Sequence, residues 1–412
     1  MIIALFILLV LLYSLVSRRL EGTVITAPIL FTAAGLLVCL LPPQLSALDL
    51  ERTQLLHIAE LGLVMLLFTD AAHINLQVLK GNRNLPVRLL SAGMLLTILL
   101  GTIFAVVVFD GISLWEAGIL AAILAPTDAG LGQVIVRSSR VPLRVRQALD
   151  FEAGVNDGLS VPFLMLFIAL AVGTNEGAGM VLTKFLKEQL GYGTLVGLGI
   201  GLGGGWLLGL AQRRNWMAAE RQTIGLVTLP LLCVLASERV GASMFIAAYV
   251  AGLAVQVGFA PAGKHAAEFA EDWGQLLNFF VFFLFGLFVG RVLTSFSATV
   301  VLYAVFSLTV ARMVPVALAL AGTGLSRSTM LFMGWFGPRG LASIVLGLVY
   351  LERQANLPGE STLRLAVMAT VLLSIFAHGL SALPGIDLYA RRLSTLDGGA
   401  PEFQAKQEAA AG

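Results

Sequence analysis

The segment Glu152-Ala153-Gly154-Val155-Asn156-Asp157-Gly158 places two carboxylates and an amide inside an otherwise apolar run. On a helix Glu152 and Asn156 stand one turn apart on one face, and Asp157 lies about 100° further round. With the preceding loop at one membrane surface, Asp157 is about ten residues deep, roughly half of a hydrocarbon core about 30 Å thick. A lone carboxylate at that depth is neutral unless it is paired or hydrated. Such a group can hold either a proton or a small cation. The plainer reading, an internal salt bridge, suits Glu152 better than Asp157.

Two further clusters break apolar runs near their middles. In Ala125-Pro126-Thr127-Asp128-Ala129-Gly130-Leu131-Gly132, Pro126 removes a backbone donor and the glycines loosen the helix. A break at that depth is tolerated only where it is buried in protein or lines a cavity, and its freed carbonyls and half-helix ends can bind ions. The plainer reading is a proline kink with Asp128 capping the second half-helix. In Gly337-Pro338-Arg339-Gly340, a proline again sits among glycines. A buried guanidinium needs a carboxylate. Glu152 is the first candidate for Arg339 and Asp128 the second, in a structural role.

The elements that must position these groups are membrane helices. Of the 412 residues, 58% are hydrophobic and 12% charged, against roughly a quarter charged in soluble domains. Thirteen apolar stretches qualify as spans, near 2–17, 24–41, 58–78, 88–109, 113–136, 147–171, 193–211, 222–237, 242–259, 272–290, 297–322, 327–351 and 363–383. They are continuous rather than alternating, which points to helices rather than a barrel. The Gly-rich stretch within 191–209 still counts as a span, because small residues let helices pack closely. With the N-terminus outside, seventeen lysines and arginines fall on inside loops and seven on outside loops, one of these at 173–192. Positive residues favour the inside, so the C-terminus is expected there. Residues 1–390 read as one transmembrane domain and 391–412 as a short, polar, frayed tail. The two breaks fall in spans 5 and 12, seven apart and so opposite in direction. Interrupted helices at matching places in two inverted halves point to a transport site.

On these residues the chain resembles the monovalent cation:proton antiporter family, in its Asn-Asp (NhaP-type) branch. The match lies in Thr127-Asp128, in Glu152-x-x-x-Asn156-Asp157 and in the Gly-x-Arg-Gly block at 337–340, in that order along nearly the whole chain. The resemblance implies an all-α membrane protein with crossed, broken spans 5 and 12, working as a homodimer in the cell membrane, the bacterial inner membrane being the expected place. It implies Asp157 as the carboxylate shared by Na⁺ and H⁺, Asp128 and Thr127 as site components, Asn156 as a polar organiser and a Glu152–Arg339 ion pair. It also implies one-for-one, electroneutral exchange with no cofactor beyond the transported ions. Where the branch often carries Ser after the Glu of span 6, this chain has Ala153. That removes a hydroxyl able to ligate Na⁺ and keeps K⁺/H⁺ exchange as the alternative.

Other classes fare worse. A passive channel needs no protonatable carboxylate between two broken helices. An intramembrane enzyme needs a nucleophile or ligand pair at helical spacing, such as His-Glu-x-x-His, and the sequence has none. No basic run with interleaved aromatics suggests nucleic acid, and no obligatory protein partner is evident besides lipid and a second copy. Among weaker signals, Asp70 and His73 read as a surface pair, His378 as a packed, hydrogen-bonded histidine, and Arg312 has no partner legible in the sequence.

Overall fold

Backbone groups in hydrocarbon have no water to bond with, so apolar runs of this length must satisfy themselves as helices. The computed structural model describes residues 2–20, 23–39, 52–74, 84–173, 178–269, 274–352, 357–397 and 399–403, and among these there are helices and no strands. In chain order they are α1 (Ile2–Leu20), α2 (Ala27–Val38), α3 (Arg52–His73), α4 (Asn84–Val108), α5 (Leu114–Ile123), α6 (Ala129–Val136), α7 (Leu143–Val172) and α8 (Gly179–Arg213). There follow α9 (Gln222–Val240), α10 (Met244–Gly258), α11 (Ala262–Phe269), α12 (Gln275–Val292), α13 (Ala298–Ala319), α14 (Arg327–Trp335), α15 (Leu341–Glu352) and α16 (Glu360–Leu393).

Eight helices among the described residues are long and apolar enough to cross a membrane, and three shorter ones, α2, α5 and α10, are apolar. This is a count by length and composition among the described residues, and it does not test the thirteen spans expected, since the interrupted spans 5 and 12 are each divided into two short helices. The expected outside loop at 173–192 is helical from Gly179 onward. Lys80, Arg83, Arg353 and Lys406, counted in the charge asymmetry, lie outside the described residues.

The sequence sets the packing through small residues. Gly193, Gly197, Gly201, Gly205 and Gly209 form a buried ladder along α8. A Cβ at the last four would overlap the carbonyl oxygens of Ala247, Ala251, Val255 and Gly258 in turn, so α8 and α10 meet backbone to backbone. Gly35 of α2 and Gly286 of α12 meet in the same way. Phe6, Tyr13, Phe31, Phe279, Phe280 and Phe283 then close one edge-to-face and stacked cluster between α1, α2 and α12. Outward positions such as Leu15, Val107, Leu195, Leu207 and Leu235 are exposed and apolar, as a lipid-facing surface requires.

The expected frayed tail is tied down as far as residue 403. α16 runs on to Leu393, and the turn Pro401–Phe403 docks beside the start of α14. The buried Glu402 carboxylate accepts from the Ser326 N–H at 2.7 Å and from the Thr329 hydroxyl at 2.8 Å. Arg144, at the start of α7, donates to the Pro401 carbonyl at 2.7 Å. Composition missed this because one buried acid at a helix start, where the macrodipole favours negative charge, is enough to anchor a polar segment.

Candidate functional site

Both expected breaks are present. Between α5 and α6 the chain is non-helical around Pro126 and Thr127, and between α14 and α15 it is non-helical over 336–340. The two interruptions lie against one another: the Asp128 N–H donates to the Pro338 carbonyl at 2.8 Å. The Asp128 carboxylate caps two half-helices. Its Oδ1 accepts from the Leu131 N–H of α6 at 2.6 Å, and its Oδ2 from the Leu341 N–H of α15 at 2.5 Å. The plainer expectation for Asp128, a helix cap, is therefore met twice over. Gly340 is required for this approach, since a Cβ there would overlap Asp128 Oδ2.

α7 brings the other group. Asn156 donates from Nδ2 to Thr127 Oγ1 at 2.8 Å, joining α7 to the first break. Asn156 Oδ1 and Asp157 Oδ1 are both buried without a hydrogen-bond partner among the described residues. Asp157 is 6% exposed and lies within Coulombic reach of Asp128 and Asp70. Tyr249 of α10 packs on Gly158, where a Cβ would strike its ring. A crevice lined by Thr127, Asp128, Leu149, Asp150, Ala153 and Pro338, among others, opens beside α7. It offers ≈ 20 Å³ to a water-sized body, where a single water needs roughly 10–15 Å³. Ala153 faces this space, so the missing hydroxyl is missing from the crevice itself.

The expected Glu152–Arg339 pair is corrected. Arg312 of α13 takes both oxygens of Glu152, Nη1 to Oε1 at 2.5 Å and Nη2 to Oε2 at 2.8 Å. Both partners are buried. The reason is geometric: a guanidinium fork matches a carboxylate two bonds at a time, which leaves no equivalent place for a second arginine. Gly337 opens the way, because a Cβ there would overlap the Arg312 guanidinium. Arg339, fully buried, instead donates from Nη1 to the Gly337 carbonyl at 3.0 Å, within its own break, and its Nε and Nη2 have no partner among the described residues. It stays within Coulombic reach of Glu152.

Sequence reasoning missed two participants. Arg312 left a signal, an arginine inside a span, but the sequence reading gives Glu152 to Arg339 and leaves Arg312 without a partner, because spacing alone does not say which buried carboxylate it meets. Asp70 was read with His73 as a surface pair. The structure makes no ion pair between them among the described residues and sets Asp70 within Coulombic reach of Asp128, Asp150 and Asp157. Its signal was a carboxylate one turn inside an apolar helix end.

A polytopic helical protein with two interrupted spans meeting beside buried carboxylates has the architecture of a secondary transporter. The chain belongs to the sodium/hydrogen exchanger family: the model of that family's transmembrane region matches residues 4–384. It is similar to the K(+)/H(+) antiporter NhaP2 of Shewanella baltica, 28% identical over 280 residues, covering 65% of this chain and 46% of that protein. It is also similar to the Na(+)/H(+) antiporter ApNhaP of Aphanothece halophytica, 28% identical over 342 residues, covering 79% and 63%. The chain thus spans less than two thirds of the length of these curated relatives. Its fold matches that of the sodium proton antiporter MjNhaP1 from Methanocaldococcus jannaschii with a TM-score of 0.72 at 20% identity, over 96% of this chain and 99% of that one.

Proposed function

We propose that this protein exchanges a monovalent cation for protons, one for one, by alternating access, with Asp157 as the carboxylate for which the two compete. One observation carries the reading: Asp157 Oδ1 and Asn156 Oδ1, on adjacent residues, are buried acceptors that no donor among the described residues meets. Buried polar atoms are almost always hydrogen-bonded, and an exception calls for a reason. A proton or a small cation supplies what both oxygens lack. Asp128, by contrast, has each oxygen occupied by a backbone N–H. Its role is to hold the N-terminal ends of α6 and α15 together, and its negative charge offsets the positive ends of two helix dipoles. Thr127 orients Asn156 through its hydroxyl. Glu152 and Arg312 neutralise one another, so neither competes for the ion.

Na⁺ is the first candidate cargo, with Li⁺ beside it. K⁺ is the second reading, favoured by Ala153 in the crevice and by the relative named as a K(+)/H(+) antiporter. The transported ions are substrates, no cofactor takes part, and no chemical reaction is catalysed. The working unit is a homodimer in lipid, in a bacterial inner membrane, with residues 1–390 as its transmembrane domain. The test is proton flux in proteoliposomes driven by Na⁺, Li⁺ or K⁺ in turn. Coupled flux with at least one cation supports exchange, and cation flux with no proton movement makes the protein a channel.

A further inference from the structure

The break between α14 and α15 leaves backbone groups that a continuous helix would have paired. Several are satisfied by contacts already described: the Pro338 carbonyl and the Leu341 N–H by Asp128, and the Gly337 carbonyl by Arg339. Two points of the break are also held from α16. The Arg339 N–H donates to Ser374 Oγ at 2.6 Å, and the Trp335 carbonyl, which accepts the Gly337 N–H at 2.9 Å, also faces His378 Nε2 at 2.9 Å. Ser374 and His378 are one turn apart on α16, both buried, and Ser374 Oγ lies 3.1 Å from His378 Nδ1.

The contacts run in one chain. The Ser374 hydroxyl accepts from the Arg339 N–H. His378 Nδ1 meets Ser374 twice, at its hydroxyl and, at 3.0 Å, at its backbone carbonyl. On its other side the ring meets the Trp335 carbonyl through Nε2. Starting at residue 339 and ending at residue 335, the chain closes a bracket around the gap. Trp335 reinforces it, its indole Nε1 donating to Ser381 Oγ at 2.9 Å and its ring lying 4.9 Å from that of His378.

We propose that Ser374 and His378 are positioning residues for ion exchange: the bracket fixes the span of the 336–340 gap and so places the Pro338 carbonyl and the Leu341 N–H that hold Asp128. Neither side chain touches the cation. A histidine that merely fills the core would affect stability alone. A bracket acts on the ion site, where displacing outer-shell supports costs about 10–100-fold in metal affinity.

The inference rests on the exchange reading above, and its test separates the two. Ser374→Ala, His378→Leu and His378→Gln are reconstituted beside the wild type, and Na⁺-, Li⁺- and K⁺-driven proton flux is measured. Ser374→Ala and His378→Leu are expected to raise the apparent KM by about tenfold or more and to change the ratio among the three cations, with the maximal rate less affected. His378→Gln, whose amide can donate to Trp335 and accept from Ser374, should return KM towards the wild type. Stabilisation of the purified variants against heat by added cation reads the same affinity without transport. No exchange by the wild type sinks the exchange reading and leaves this measurement to decide the bracket. Folded Ser374→Ala with wild-type KM, wild-type ion order and wild-type cation stabilisation overturns the proposal, whether or not His378→Leu folds. So does a His378→Gln protein as impaired as His378→Leu.

Discussion

Asp128 and Leu341 are joined across 213 residues of chain by one hydrogen bond of 2.5 Å, carboxylate to backbone amide. The bond fastens the second break to the first, since the other oxygen of the same carboxylate caps α6. Replacing Gly340 by Ala forces a methyl into that carboxylate. Overpacking of this kind typically costs about 1–3 kcal/mol, and here it also pulls the two breaks apart. Gly340→Ala is expected to lose coupled transport even where the protein is recovered folded. Unchanged flux from the folded variant would show that the double cap is not needed.

Arg312, rather than Arg339, is the counter-charge of Glu152. Arg312→Ala leaves a buried carboxylate alone, at a cost of about 3–5 kcal/mol. The double variant Arg312→Met with Glu152→Gln removes both charges and is expected to recover much of that loss. Arg339→Ala, which breaks one hydrogen bond to a carbonyl, should destabilise less than Arg312→Ala. Thermal midpoints in detergent rank the variants, and the reverse order for the two arginines contradicts the assignment.

Asp157→Asn keeps the shape of the side chain but cannot trade a proton. Cation-driven proton flux is expected to vanish in folded protein. In the wild type, proton and cation compete for one carboxylate, so lowering the pH should raise the apparent KM for the cation while the maximal rate changes less. Robust exchange by Asp157→Asn would transfer the role to another carboxylate, with Asp70 first in line.

Ala153→Ser restores a hydroxyl to the crevice. It is expected to lower KM for Na⁺ and Li⁺ relative to KM for K⁺ in the same vesicles. An unchanged ratio would mean that the hydroxyl does not reach the ion.

Glu402 predicts a pH dependence of stability outside the membrane. Burial raises its pKa, but the Ser326 N–H and the hydroxyls of Thr329 and Ser326 outweigh burial and hold it below the ordinary carboxylate value. A carboxylate lowered on folding stabilises the fold above its unfolded pKa, about 4.3 for Glu, and the contribution is lost as pH falls through the folded value. Glu402→Gln should therefore melt below the wild type at neutral pH, with hydrogen bonds to a charged group worth about 1.5–3 kcal/mol each. The gap should close under acid, below the usual carboxylate range. A difference that is constant down to that range and beyond would rule out the charge as its source.

Much of this site is legible in the primary structure. Pro126 and Pro338 among glycines locate both breaks, because proline and glycine act on the backbone locally. Asn156 and Asp157 stand out because polar groups are expensive within a span. Which arginine meets Glu152 is decided by the absence of a Cβ at Gly337 and by the course of α13, and both are tertiary facts. The same holds for Asp70, whose distance from Asp157 depends on how α3 lies against α7 and α10. The anchoring of residues 401–403 rests on a single acid meeting a single helix start, which composition averages away.

The glycine ladder of α8 fits the α10 backbone like teeth in a rack. Adjacent teeth are four residues apart, about 6 Å along the axis. A shift shorter than one whole tooth takes the glycines out of step with the carbonyls they meet. The pair can tilt as one plank under load, but it cannot shear. Any sliding that turns the site from one face of the membrane to the other must then run along a seam without such teeth.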